Sequence, residues 1–458
     1  MQMTWLNCFT SDRFGMMPET EHIRSQFERD YDRIIFSSAF RRLQNKTQVF
    51  PLPEHVFVHN RLTHSLEVVS VGRSLGKIVG DALAKLPEVT ANPDAKDFYE
   101  NQLKNVISAA CLAHDLGNPA FGHSGEEAIS KYFIDKEADA DFKNRFSADE
   151  WLDLVNFEGN ANALRILTKQ FNGRLKGGYR LTYPTLASIL KYPCESAGRQ
   201  KPGPKHRSKF GFFQEEKKTF LEIAEKLHLK KDSDKPLSYF RHPFVYLVEA
   251  ADDICYSIID FEDAHRLGIL SYKEVKSAFL GIIELNPAEN IERVKSNLRK
   301  LKADPNEAIA YLRAKSINYL VQRCADVFVE NADIILNANF KGALLDNCAG
   351  LEAPLKHIQK ESVARIYNHE SVVKIELAGF KIMSGLIEDM VEAALLPEDK
   401  RQNRHKKLLN LIPYQNRFRE SDTDYQKVMS ILDHASAMTD NYALNLYRNL
   451  RGISVPSI

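Results

Sequence analysis

The chain has 458 residues, 44% apolar and 27% charged, with a formal net charge of +1. That balance suits a globular protein with a sizeable core, built as two or three domains or as one large helical unit. It excludes a chain that binds nucleic acid through its overall charge, and leaves any such contact to a local patch.

The six cysteines, at 8, 111, 194, 255, 324 and 348, form no CxxC pair. This argues against a zinc ribbon or a disulfide framework and fits a reducing compartment. The N-terminal MQMTWLNCFTSDRFG carries no apolar leader segment, and no stretch reaches the ~20 apolar residues needed to span a bilayer. A soluble, cytoplasmic protein with no membrane partner is expected.

In chain order, KTQVFPL (46–52) reads as one short extended piece. Val68, Val71, Leu75 and Ile78 then form an apolar stripe at helical spacing, and Ile107, Ala110, Cys111 and His114 form another. The basic stretch CESAGRQKPGPKHRSKFGFF (194–213), with its prolines and glycines, has two readings. One is a solvated surface loop, and the other is a mobile basic flap over an anionic ligand. HPFVYLVEAADDICYSIIDFEDAHRLGIL begins with a proline at a first-turn position and continues as a helix. Three later stretches, beginning at Glu307, Phe380 and Asp424, repeat the helical pattern. Alternating strands with hairpin turns and internal repeats are both missing from the pattern. The expected class is all-α, with one large unit over 1–458.

Four residues on these helices carry candidate chemistry. His64 lies four residues before Val68 and so faces inward. His114 ends its stripe with Asp115 beside it, just before Gly117 stops the helix. Asp252, Tyr256 and Asp260 share one face at spacings of four. Taken singly, an inward histidine is most often a hydrogen-bonded core residue and a helical aspartate is most often solvated. Together, two imidazoles and two carboxylates suit a divalent metal: the carboxylates favour Mg or Mn, and imidazole admits Fe, Co, Ni or Zn. Burying those carboxylates is costly unless a cation or hydrogen bonds satisfy them. In GHSGEEA, Ser124 reads as an N-cap forming a capping box with Glu127. His123 and Glu126, three apart at a helix start, have the makings of an acid/base relay.

With these residues in view, the chain resembles the HD-domain deoxynucleoside triphosphate triphosphohydrolases, of the bacterial dGTP triphosphohydrolase type. AFRRLQNKTQVFP, NRLTHSLEV, AHDLGNPAFGHSGEEA and EAADDICYSIIDFEDA carry the match. FEGNANALRIL, KYP and AMTDNYALNLYRNLRG support it. The resemblance implies an HD-domain helical fold with a catalytic core at 25–270 and additional helices at 271–458 that would supply the base pocket and oligomer contacts. It implies one divalent metal on His64, His114, Asp115 and Asp252, with Asp253 the neighbour that could be mistaken for the ligand. It implies hydrolysis of a deoxynucleoside triphosphate at the α-phosphorus, releasing nucleoside and triphosphate, with dGTP favoured. His123 and Glu126 would handle the protons, while Arg61, Lys191, Tyr192 and Lys209 would hold phosphates. Gln48, Tyr256 and Asp260 would form the deoxyribose pocket, with Tyr256 excluding a 2′-hydroxyl.

Tyr367, Asn368 and Glu376 lie where base contacts would come from, and Glu376 could accept from guanine N1 and N2; the alternative for all three is ordinary helix surface. The eukaryotic branch has a histidine four residues after the first HD histidine, where this chain has Asn118. Homo-oligomers, often hexamers, are implied, and single-stranded DNA is a candidate effector. Two other readings stay open. One is a different HD-type phosphohydrolase, such as a nucleotidase or phosphodiesterase. The other is a non-catalytic nucleotide- or DNA-binding regulator.

Overall fold

The structure, a computed structural model, describes residues 2–17, 23–50 and 58–454. Helices dominate, as the periodicity requires. Among the described residues the only sheet is a hairpin, Lys231–Asp234 against Leu237–Tyr239, antiparallel with an irregularity between Lys231 and Ser233. No helix among them is long and apolar enough to cross a membrane. All six cysteines are free and buried.

Two hydrophobic clusters form the interior. The first gathers Val68, Val71 and Leu75 of the helix Arg61–Leu83, Ile107 and Cys111 of Leu103–Ala113, and Ile254 and Ile258 of Val245–Arg266. The stripe on Arg61–Leu83 ends on Val79 instead of Ile78: Val79 is fully buried and Ile78 only partly. The second cluster joins Ile129 and Phe133 of Gly122–Asp135 to Met383 and Leu386 of Glu370–Leu395 and Val428 of Asp424–Ala437. Helices beyond residue 270 contribute to both: Pro305–Glu330 packs in the first and Glu370–Leu395 in the second.

Several local expectations change. The helix expected to begin at a capping Ser124 starts at Gly122, with Phe121 as its N-cap in a left-handed conformation (φ 61) and no side-chain cap. Ser124 thus lies within the first turn, and no Ser124–Glu127 box forms. Gly117 follows the end of Leu103–Ala113, whose C-cap is His114, but its reason is proximity: a Cβ there would stand 1.9 Å from the Gly159 carbonyl oxygen. Pro243 precedes the helix Val245–Arg266 and lies outside its first turn, and that helix stops at Arg266, before Gly268. Of KTQVFPL, Thr47 makes one isolated antiparallel bridge to Asn60, and Pro51 and Leu52 lie outside the described residues.

The 194–213 stretch is neither a free flap nor fully solvated. Phe210, Phe212 and Phe213 are buried, Lys205 pairs with Glu249, and Arg207 pairs with Asp232. Only 199–204 is exposed throughout.

Candidate active site

The helix Arg61–Leu83 opens with a reciprocal cap. Asn60 Oδ1 accepts the Thr63 N–H, and Thr63 Oγ1 accepts the Asn60 N–H, both at 3.0 Å. Such a cap is worth about 1 kcal/mol and fixes the first turn, where Arg61 and His64 project inward. Across from it, His114 ends its own helix and Asp252 comes from the second turn of Val245–Arg266. His64 Nε2 lies 3.2 Å and His114 Nε2 3.5 Å from Asp252 Oδ1. Ligand atoms of these three residues lie within 4.8 Å of one another. Asp115 Oδ1 stands 3.7 Å from His114 Nε2.

These groups fit a divalent cation. His114 Nδ1 donates to the Cys111 carbonyl at 2.7 Å, which leaves Nε2 to face the carboxylates. That Nε2 is buried and has no hydrogen-bond partner. Burial works to lower the pKa of His114, but the charges of Asp115 and Asp252 outweigh it and raise it. The negative charge that favours a proton there favours a metal ion equally. Burial pushes the Asp252 carboxyl up, yet Lys191 and His114 overcome this and hold it well below the usual carboxylate range. Lys191 Nζ sits 2.7 Å from Asp252 Oδ2, so the two oxygens of Asp252 divide between the lysine and the imidazoles. Asp115 is oriented by Arg61 Nη1 at 2.7 Å and by Asn118 Nδ2 at 2.5 Å. Asp253 turns instead to a neighbouring cavity that it lines with Lys205 and Ser257.

A cavity of about 470 Å³ opens over this cluster. It is lined by His64, His114, Asp115 and Asp252 together with Gln48, Arg61, His123, Lys191, Tyr192, Lys209, Tyr256, Tyr367 and Glu376. His123 reaches into it with a side chain 82% exposed, and its Nδ1 lies 2.8 Å from Glu126 Oε2. Glu126 is buried, and its other oxygen accepts the Gly159 N–H at 2.8 Å. Burial raises the Glu126 carboxyl, but the hydrogen bond and charge of His123, with Lys209 beyond, bring it below its ordinary value. A buried carboxylate on Nδ1 leaves Nε2 of His123 as the atom available to a ligand.

The aromatic wall is Tyr256 stacked on Tyr367, with centroids 5.4 Å apart and planes at 21°. Asp260 does not line the cavity. It is buried behind the wall, where its Oδ2 accepts the Tyr367 hydroxyl at 2.8 Å, and burial pushes its carboxyl up to about 8. Asn368 also falls outside, because its Nδ2 donates to the Val363 carbonyl at 2.6 Å.

Gln48 lines the cavity with a buried Oε1 that lacks a partner. Thr47, Val49, Phe121, Gly122, Asn160, Val372 and Ile375, which no sequence motif marks as site residues, also line it. For Val372, Ile375 and Glu376 a signal existed, since spacings of three and four put them on one helix face. Asn118, which in sequence only departs from a family pattern, lines the cavity and orients Asp115.

Residues 61–172 match the HD domain family. That span holds His64, His114, Asp115, His123 and Glu126 but ends before Asp252. Over its full length the chain is similar to proteins called deoxyguanosinetriphosphate triphosphohydrolase-like. One from Synechocystis sp. is 39% identical over 99% of this chain and 100% of its own. One from Pseudomonas aeruginosa is 36% identical over the same shares. A protein from Yersinia pestis called deoxyguanosinetriphosphate triphosphohydrolase is 30% identical over 93% of each chain.

Proposed function

The chain belongs to the deoxyguanosinetriphosphate triphosphohydrolase-like family of HD-domain hydrolases, and from that premise we propose that it hydrolyses deoxynucleoside triphosphates, dGTP foremost, to the deoxynucleoside and inorganic triphosphate. One observation carries the reading. The His64–His114–Asp115–Asp252 cluster, His123 with Glu126 behind it, and the cationic side chains of Arg61, Lys191 and Lys209 open onto one cavity.

In this reading His64, His114, Asp115 and Asp252 would hold a divalent ion, Mg or Mn in preference to Fe, Co, Ni or Zn. When bound it supplies positive charge that stabilises the α-phosphate in the transition state and makes a nearby water more acidic. Arg61, already aligned by Asp115, presents its planar fork to the α-phosphate. Lys191, Tyr192 and Lys209 hold the outer phosphates. Water attacks the α-phosphorus, and the bond from phosphorus to the 5′ oxygen breaks. The proton lost by the water and the proton gained by the 5′ oxygen pass through His123 Nε2. Glu126 keeps the ring in the tautomer this requires and steadies its charge. Tyr256 packs under the sugar and leaves no room for a 2′-hydroxyl. Gln48 Oε1 accepts from the 3′-hydroxyl, which gives that buried oxygen the partner it lacks. Glu376 at the cavity edge accepts from guanine N1 and N2, with Val372 and Ile375 as apolar neighbours. A cytoplasmic homo-oligomer, hexameric by resemblance, belongs to the same reading, and its size is open to direct mass measurement.

Phosphorus NMR of dGTP incubated with the protein and Mn²⁺ tests the reaction. Inorganic triphosphate with no orthophosphate or pyrophosphate is expected. Either of the latter as the primary product would refute the reading in favour of another HD-type phosphohydrolase. A His123→Ala variant that turned over dGTP at the wild-type rate would remove the assigned proton carrier.

A further inference from the structure

The C-terminal stretch AMTDNYALNLYRNLRG has no part in the chemistry above, yet one of its side chains reaches the cavity's framework. Asp440 is the first residue of the helix Asp440–Leu450, behind the capping Thr439. Its carboxylate is buried, with the residue 3% exposed. One oxygen, Oδ1, accepts the Phe121 N–H at 2.9 Å, and the other, Oδ2, accepts the Thr47 N–H at 2.8 Å.

Those two amides belong to the two segments whose relative placement matters most. Thr47 immediately precedes Gln48 on the substrate side of the cavity. Phe121 immediately precedes the helix Gly122–Asp135, which carries His123 and Glu126.

The Phe121 end of the clamp holds a backbone shape that does not hold itself. Phe121 has φ 61 and Gly122 φ 57, consecutive left-handed residues of which the first is bulky. Its ring is pressed against Gly379, where a Cβ would stand 2.4 Å from the ring. A second tie runs alongside. Buried Lys46, next to Thr47, donates from Nζ to the carbonyl oxygens of Asn118 and of Ser436, the latter at 2.8 Å. Asn118 in turn orients Asp115.

We propose that Asp440 is a positioning residue of the active site: a single buried carboxylate that sets the spacing between the Gln48 segment and the His123 helix. The inference rests on the assignment of His123 as the proton carrier. A carboxylate suits the place because it only accepts, and both of its neighbours here are N–H donors. An asparagine would keep one acceptor and turn an NH₂ donor toward the other N–H, breaking one bond and setting two donors face to face. The His123 helix would then shift relative to Arg61 and the metal ligands, none of which bonds to Asp440.

The test is Asp440→Asn in the full chain, beside His123→Ala and the double variant. Three results are expected of D440N. The kcat for triphosphate release falls at least ~10-fold while KM stays within about threefold. Mn²⁺ affinity, measured by calorimetry, stays at the wild-type value. Adding D440N to His123→Ala causes a smaller loss than adding it to the wild type, because the Phe121 end of the clamp acts through His123. Amide deuterium exchange gives a readout that needs no turnover: faster exchange is expected in peptides covering 44–50 and 118–126 and not elsewhere. If the wild type releases no triphosphate from dGTP, the proposed reaction fails, and the exchange comparison still decides on the clamp. Wild-type exchange in both peptides, an unchanged kcat, or a loss fully additive with His123→Ala overturns it. If D440N does not fold, Asp440→Ser, which keeps one small acceptor, takes its place in the same measurements.

Discussion

Asp252 shows how one side chain is committed on both of its oxygens. Oδ1 faces His64 and His114, and Oδ2 faces Lys191. Removing it takes away a proposed metal ligand and strands the half-buried lysine at once. Asp252→Ala should weaken Mn²⁺ binding by calorimetry at least ~100-fold, while circular dichroism keeps the helical signature. Retained affinity would move the assignment to Asp253. The residue types here were legible from spacing: His123 and Glu126 at three apart do meet, and His114 does turn its free nitrogen inward. Asp260 and Asn368 were not legible in that way. Helical spacing gives the face a residue occupies, but not whether another side chain, here Tyr367, stands between it and the cavity. Nor does it reveal a local backbone bond such as the one that turns Asn368 away.

At the scale of the element, helix ends decide the site, and these were the least legible features. The GHSGEEA segment has a sound capping pattern, yet its helix begins three residues earlier because Phe121 takes up a left-handed turn under tertiary contacts. Glycines at the junctions answer to close approach. Gly159 opens its helix, and a Cβ there would stand 2.5 Å from Asn118 Oδ1 and 2.6 Å from Glu126 Oε1. Both obstacles are ends of side chains that can swing aside, so Gly159→Ala should cost the fold only ~1–2 kcal/mol. The side chains that must move are those that orient Asp115 and His123. The same variant should therefore lose at least ~10-fold in triphosphate release, measured beside its denaturant midpoint. A parallel small loss in both would show that Asn118 and Glu126 adjust without consequence.

At the scale of the whole molecule, a buried ion network lies at the junction of the two hydrophobic clusters. The helix Gly159–Thr168 gives Leu164 and Leu167 to the first cluster and Ala161 to the second. From it Arg165, fully buried, bonds Asp433 at 2.6 and 3.0 Å, Glu216 at 2.7 Å and Glu215 at 2.5 Å. Lys169 adds a bond to Asp433 at 2.7 Å. Asp433 lies on Asp424–Ala437, so the network fastens that second-cluster helix to the shared one. Removing one partner leaves buried charge unpaired, and Asp433→Ala should lower unfolding free energy by ~3–5 kcal/mol in denaturant titration. A loss below ~1 kcal/mol would mean that Glu215 and Glu216 suffice for Arg165.

By itself the sequence determined the helical class, the inward faces and which residue types were candidates for the site, because periodicity and residue chemistry are local properties. Only the tertiary structure decided that Asp252 meets His64, that Lys191 shares Asp252, and that Asp440 bridges Thr47 and Phe121. Those meetings join segments far apart in the chain. They depend on how two clusters pack against each other, which no local spacing encodes.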